Sequence, residues 1–301
     1  MSLHGVLEEI RKIRAGLNAE EIRRRATRTL RIGLAAGSEE GYRAMESFLC
    51  PKAPESDSEE RAAQMIQRVA LNGSGDHPAQ ECDLVLCEAR VSLGPMPANG
   101  YRFDSHDPWK TVESILHERS DLELALGRNF LVFRALAAER IIHRISAENA
   151  LFALVSALPN VVPNLLELPW AVGEFATDTA FITMNQIRMA LYLAAIFERP
   201  VGYMEQKVQI AAIAGGAFGW RALARELAGK IPLGGGLIPK AAIAFAGTWV
   251  VGIGLERAYR MGIGLSRRER REAYAVGFER GKTVAPLLVP EAVRMRSKPA
   301  E

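Results

Sequence analysis

The chain has 301 residues, room for one large domain or two smaller ones around a sizeable buried core. With 49% hydrophobic and 24% charged residues it is too apolar to be disordered, and its composition is ordinary for a folded protein. The formal net charge of +3 hides an uneven spread, with arginines gathered at Arg23, Arg24, Arg25, Arg28 and Arg31 and again at Arg267, Arg268, Arg270 and Arg271.

Such clusters suit phosphate-rich partners, either anionic lipid or nucleic acid. Glu20, Glu21, Glu269 and Glu272 lie among the arginines, and mixed signs of this kind read as solvated helix faces. No nucleic-acid partner is expected. Cys50, Cys82 and Cys87 make no even framework and stand at no metal-ligand spacing with histidine, so they read as thiols in a reducing cytoplasm. The first residues lack the apolar core of a secretory signal, and the expectation is a cytoplasmic location for the soluble part.

Residues 1–28 read as amphipathic helix, with Leu7, Ile10 and Ile13 at helical spacing. Asn18 and Glu21 predict the cap of a second helix. The run LRIGLAAG at 30–37 reads as a buried strand, followed by a helix capped by Ser38 and containing Tyr42, Met45 and Phe48. A polar loop at 51–60 leads to a helix through Ala62, Met65, Ile66 and Val69. Residues 83–87 give a second strand. The Gly, Pro, Asn and Asp content of 92–107 predicts loop. Residues 29–135 thus form a small α/β part.

Beyond Trp109 the pattern is helical. Ile141, Ile142, Ile145, Phe152, Val155 and Leu158 form an apolar stripe that ends at Pro159 and Pro163. Another helix runs to about Glu198, followed by a turn at 199–202. Glycine pairs at 215–216 and 234–236 interrupt later apolar helices. An arginine-rich helix then gives way to a weakly structured tail at 284–301.

Four low-charge runs, 149–166, 179–187, 208–220 and 231–255, make 136–283 an apolar, glycine-rich helical domain. Gly247, Gly252 and Gly254, with Ala242, Ala244 and Ala246, form a small-residue face suited to close helix approach. Residues 233–255 reach the ~20 apolar residues a spanning helix needs. Residues 150–172 do too, but Pro159, Pro163 and Glu167 would make that span costly.

The window AGSEEGYR at 36–43 falls where a phosphate-binding loop would sit, with Tyr42 at the lysine position and Arg43 at the hydroxyl position. It reads as a degenerate remnant. Asp104, His106 and Asp107 make a polar loop cluster, read as solvated. No catalytic, cofactor-binding or metal-binding residue is assigned. Asn185, Gln186 and Arg188, polar on an otherwise apolar helix, are the candidate interhelical cluster, since buried polar groups require partners.

Three stretches carry a resemblance. ISAENALFALVSALP at 145–159, NQIRM at 185–189 followed by LYLAA, and GGGLIP at 234–239 leading to the region around Thr248 together resemble the YcjF-like bacterial family of unknown function. In that family the helical domain often follows an Era-like GTPase domain, and many members are predicted membrane proteins. The resemblance therefore implies that the α/β part descends from a GTPase. Where relatives show Tyr-Gly after the NQxRM helix, this chain has Phe197, Glu198, Arg199 and Pro200. The expectation is a mainly α protein that is a non-enzymatic, membrane-associated scaffold or regulatory module in bacteria. It would sit at the cytoplasmic side of the inner membrane and self-associate through helices, with lipid or a protein such as a GTPase as partner. The alternatives are a divergent GTPase-related protein and a soluble adaptor of a separate GTPase.

Overall fold

The computed structural model describes residues 18–51, 57–70, 79–89, 95–157, 178–214 and 237–297. The expected first helix before Asn18, the break at Pro159 and Pro163, and the glycine pairs at 215–216 and 234–236 lie outside them. The protein is mainly helical, with a small parallel sheet in its N-terminal part.

Helix α1 (Ala19–Ala26) starts at Asn18, whose Oδ1 accepts from the Glu21 amide at 3.0 Å, as the sequence predicts. Strand β1 (Ile32–Ala35) leads into α2 (Glu39–Leu49), where Ser38 Oγ accepts from the Gly41 amide at 3.0 Å. Then come α3 (Asp57–Gln64), β2 (Ile66–Arg68), a 3₁₀ turn (Ala79–Glu81), β3 (Leu84–Glu88) and β4 (Gly100–Phe103). The rest is helical: α4 (Pro108–Glu118), α5 (Glu123–Asn129), α6 (Leu131–Ala157), α7 (Asp178–Ile196), α8 (Lys207–Ala214), α9 (Leu237–Met261) and α10 (Arg267–Ser297).

The chain divides into an α/β unit, Arg23–Ala138 with Ala195–Glu198, and a helical unit that includes Glu139–Ala194 and Arg199–Glu301. In the α/β unit all strands are parallel, in the order β2-β1-β3-β4, with Ile32 opposite both Ile66 and Leu84. Strands β1 and β3 are buried almost end to end, which is why they read as continuous apolar runs rather than alternating ones. Ala35, Val69, Ala79, Cys82, Val85 and Cys87 form one core cluster.

Two expectations fail here. The helix predicted through Met65, Ile66 and Val69 stops at Gln64, and the chain becomes β2. The Ile32 amide donates to Met65 O and the Val69 amide to Leu34 O, both at 2.8 Å. Pairing with the buried strand β1 outweighs the helical spacing of Met65, Ile66 and Val69. The loop predicted across 92–107 contains β4, in which buried Tyr101 and Phe103 flank exposed Arg102. That two-residue period is short and framed by turn-forming Asn99 and Asp104, which concealed it.

Glu198 takes a left-handed backbone (φ 57°), a conformation that costs a non-glycine residue about 1 kcal/mol. Its carboxylate is held by Arg61 at 2.6 Å and Arg134 at 2.7 Å, and these ion pairs fix the turn without a glycine.

In the helical unit α9 and α10 form an antiparallel hairpin. Gly262 turns it with φ 74°, its amide donating to Ala258 O at 2.9 Å. Gly281 brings α10 against the α9 backbone: a Cβ there would lie 2.9 Å from Ala242 Cα. Trp249 packs on Gly277, and the Arg280 guanidinium lies 4.4 Å over its ring while donating to Glu139 at 2.7 Å. Helix α10 continues through Pro286 and Pro290 to Ser297, where the sequence reading places a weakly structured tail.

The start of α10 is a reciprocal cap. The Ser266 amide donates to Glu269 Oε2 at 2.8 Å, and the Glu269 amide donates to Ser266 Oγ at 3.3 Å. The amide and side chain of Ser266, with help from Arg257, pull the Glu269 carboxyl down to about 2 from an ordinary 4.5. A depressed carboxyl contributes stability that is present above its unfolded value and lost as pH falls through the folded one. Glu269→Gln is therefore expected to flatten acid destabilisation between about 4.5 and 2, as read by thermal melts across pH. Gly281→Ala is expected to destabilise by about 2 kcal/mol in urea titration, against its helix propensity. Gly264→Ala, with nothing within 4 Å of the added Cβ, is expected to be nearly neutral.

Candidate functional site

The loop after β1 is the place where a parallel sheet presents a helix N-terminus to an anion. Here the chain fills it itself. The Gly37 amide donates to Glu88 Oε2 at 3.0 Å, and Glu88 stands at the end of the adjacent strand β3. A Cβ on Gly41 would lie 2.5 Å from the same oxygen, so the carboxylate rests on the first turn of α2. A carboxylate at a helix N-terminus satisfies its exposed amides and its positive end.

Tyr42, at the position where a phosphate-binding loop carries its lysine, has the Arg68 guanidinium 4.6 Å from its ring. Arg68 also grips Glu39 with two bonds, at 2.7 and 3.0 Å, and Glu46 at 3.0 Å. The bond from Arg68 holds the Glu39 carboxyl below its usual range. Burial pushes the Cys82 and Cys87 thiols up, which leaves little reactive thiolate at neutral pH. Asp104 and His106 form an exposed turn, with the His106 amide donating to Asp104 Oδ1 at 3.0 Å. Among the described residues no three His, Cys, Asp or Glu side chains gather as a metal site.

The second site is inside the helical unit. Asn185 on α7 donates through Nδ2 to Asn149 Oδ1 on α6 at 2.7 Å. Asn149 donates to Thr248 Oγ1 on α9 at 2.8 Å, and Thr248 donates to Ala244 O at 3.0 Å. All three side-chain residues are 0% exposed. Each donor in this relay points the same way, so the three helices are joined by one directional chain of bonds. Gly252, one turn beyond Thr248, lies so close to α6 and α7 that a Cβ would sit 2.5 Å from Ile142 Cγ2 and 3.1 Å from Met189 Sδ. The small-residue face expected on this helix is in close contact there.

Arg188, on α7, forms an ion pair with Glu148 of α6. Burial pushes the Glu148 carboxyl above its usual range, while Arg188 and Arg144 pull it back. Gln186 is buried, and its Nε2 has no hydrogen-bond partner among the described residues. The structure thus joins Asn185 and Arg188 to α6 by separate contacts and does not gather all three predicted residues into one cluster. Sequence reasoning missed Asn149, Thr248 and Glu148 as the partners. Their signal was present: each is a polar residue within a long apolar helix, as Asn185 is.

On α8's N-terminal side, Tyr259 closes a further buried contact, its hydroxyl 2.8 Å from Gln206 Oε1 and 3.2 Å from Ala190 O. No protein-family model, curated protein or solved structure matches this chain.

Replacing Asn149 by leucine would strip a donor from Thr248 and an acceptor from Asn185 while both remain buried. The expected loss is about 3 kcal/mol in urea unfolding. Thr248→Val removes both bonds of the hydroxyl but orphans a side-chain donor only at Asn149, and is expected to cost about 1 kcal/mol.

Proposed function

We propose that this chain is a non-enzymatic, membrane-associated scaffold or regulatory module, peripheral to the cytoplasmic face of a bacterial inner membrane. The observation that carries this reading is helix α9. It is long and apolar enough to cross a membrane, with a mean hydropathy of 1.5 over its most apolar window, yet 67% of that window is buried inside the protein. A helix already covered by its own fold, and tied to α6 through Thr248 and Asn149, gains less from lipid on all sides than a bare span does. This favours attachment at the surface, with partial embedding, over full insertion.

The polar chemistry supports a scaffold. Glu88 is spent on a helix N-terminus, Glu148 on Arg188, and the two asparagines on each other and on Thr248. These groups hold elements together. The resemblance to YcjF-like proteins belongs to the same reading. A GTPase reading has less behind it, because an anionic side chain already fills the site where phosphate would have to bind.

Fractionation of cells producing the full chain is the test. The protein is expected with membranes and is expected to be released by an alkaline carbonate wash. Recovery wholly in the soluble fraction would refute membrane association, and retention after carbonate would refute a peripheral placement.

A further inference from the structure

We infer that the turn between α9 and α10 is a docking tip for an anionic phospholipid surface, an inference that rests on the membrane reading above. At this turn the chain exposes two large apolar side chains, Met261 at 56% and Ile263 at 51%. They are separated by Gly262, and Gly264 follows; neither glycine has an atom within 4 Å of a Cβ built on it. The backbone here stands clear of the fold, and its apolar side chains meet solvent.

The charge around this tip is strongly positive. Between residues 256 and 272 there are six arginines (257, 260, 267, 268, 270 and 271) against three glutamates. The glutamates are engaged: Glu269 in the α10 cap and with Arg257, Glu272 with Arg268, and Glu256 with Arg260 at 3.9 Å. Arg267 and Arg271 are exposed, one turn apart on the same side of α10, and form no ion pair among the described residues. Arg260 is exposed at the end of α9.

Apolar side chains at a loop apex, ringed by arginines, match the two layers of an anionic membrane surface. The arginines meet the phosphates, and Met261 and Ile263 enter the boundary between headgroups and acyl chains. A nucleic acid would use the arginines but takes apolar side chains only as wedges between unstacked base pairs, so lipid is the better fit. Behind the tip the two helices pack closely, with Gly281 on the α9 backbone and Arg280 over Trp249.

The test uses the purified full chain and sedimentation with vesicles of phosphatidylcholine alone or with added phosphatidylserine, at low and high salt. The wild type is expected to bind the anionic vesicles preferentially and to be released by salt. Arg260→Gln, Arg267→Gln and Arg271→Gln together are expected to weaken binding on the order of 100-fold. Met261→Ser with Ile263→Ser is expected to weaken it roughly tenfold. All five positions are exposed, and unchanged circular dichroism and melting temperature would confirm that the fold persists. If the wild type binds and both variants bind equally well, the tip assignment is overturned while the membrane reading stands. If the wild type binds no vesicle, both fall. Binding that needs the arginines but ignores the Met261 and Ile263 changes, and is competed by duplex DNA, overturns the lipid assignment in favour of nucleic acid.

Discussion

The helical unit depends on one buried contact, the hydrogen-bond relay from Asn185 through Asn149 to Thr248. Apolar packing alone would fix the register of these three helices only weakly, because the surfaces that meet are largely aliphatic and apolar contact is non-directional. Amide and hydroxyl groups at 0% exposure remove that freedom, since any change of register would leave them without partners in a medium that cannot replace them. The relay specifies where α6, α7 and α9 meet, and apolar burial supplies most of the stabilisation.

Close approach is what makes the relay possible. Asparagine and threonine side chains are short, so the helices must come near enough for 2.7–2.8 Å bonds. Gly252 permits this on the side facing Ile142 and Met189, and Gly281 does the same between α9 and α10. The aromatic residues then fill what the glycines leave, with Trp249 laid on Gly277 and capped by Arg280. In the α/β unit a half-buried carboxylate has a similar role: Glu88 joins the end of β3 to the start of α2.

Much of this was legible in the sequence. The caps at Asn18 and Ser38, the strands β1 and β3, and the long helices α6, α7 and α9 follow from local chemistry and from apolar periodicity. Asn185 and Arg188 stood out as polar residues on an apolar helix, and both proved to be interhelical. What sequence concealed was long-range. Met65, Ile66 and Val69 have helical spacing, and only the pairing of residues 66–68 with β1 turns this stretch into strand. The partners of Asn185 and Arg188 lie 36 and 40 residues earlier in the chain, and no local rule identifies them. The role of Glu88 was hidden for the same reason, being 51 residues from the amide it binds.

Locked by the relay, α6, α7 and α9 form one cooperative unit. Native-state hydrogen exchange measures this most directly, comparing backbone amides around residues 149, 185 and 248 in the wild type and in Asn149→Ala. All three helices are expected to exchange with a common opening free energy, which the substitution lowers in all three by the same amount. A loss confined to α6, with α7 and α9 keeping their protection, would contradict that cooperativity.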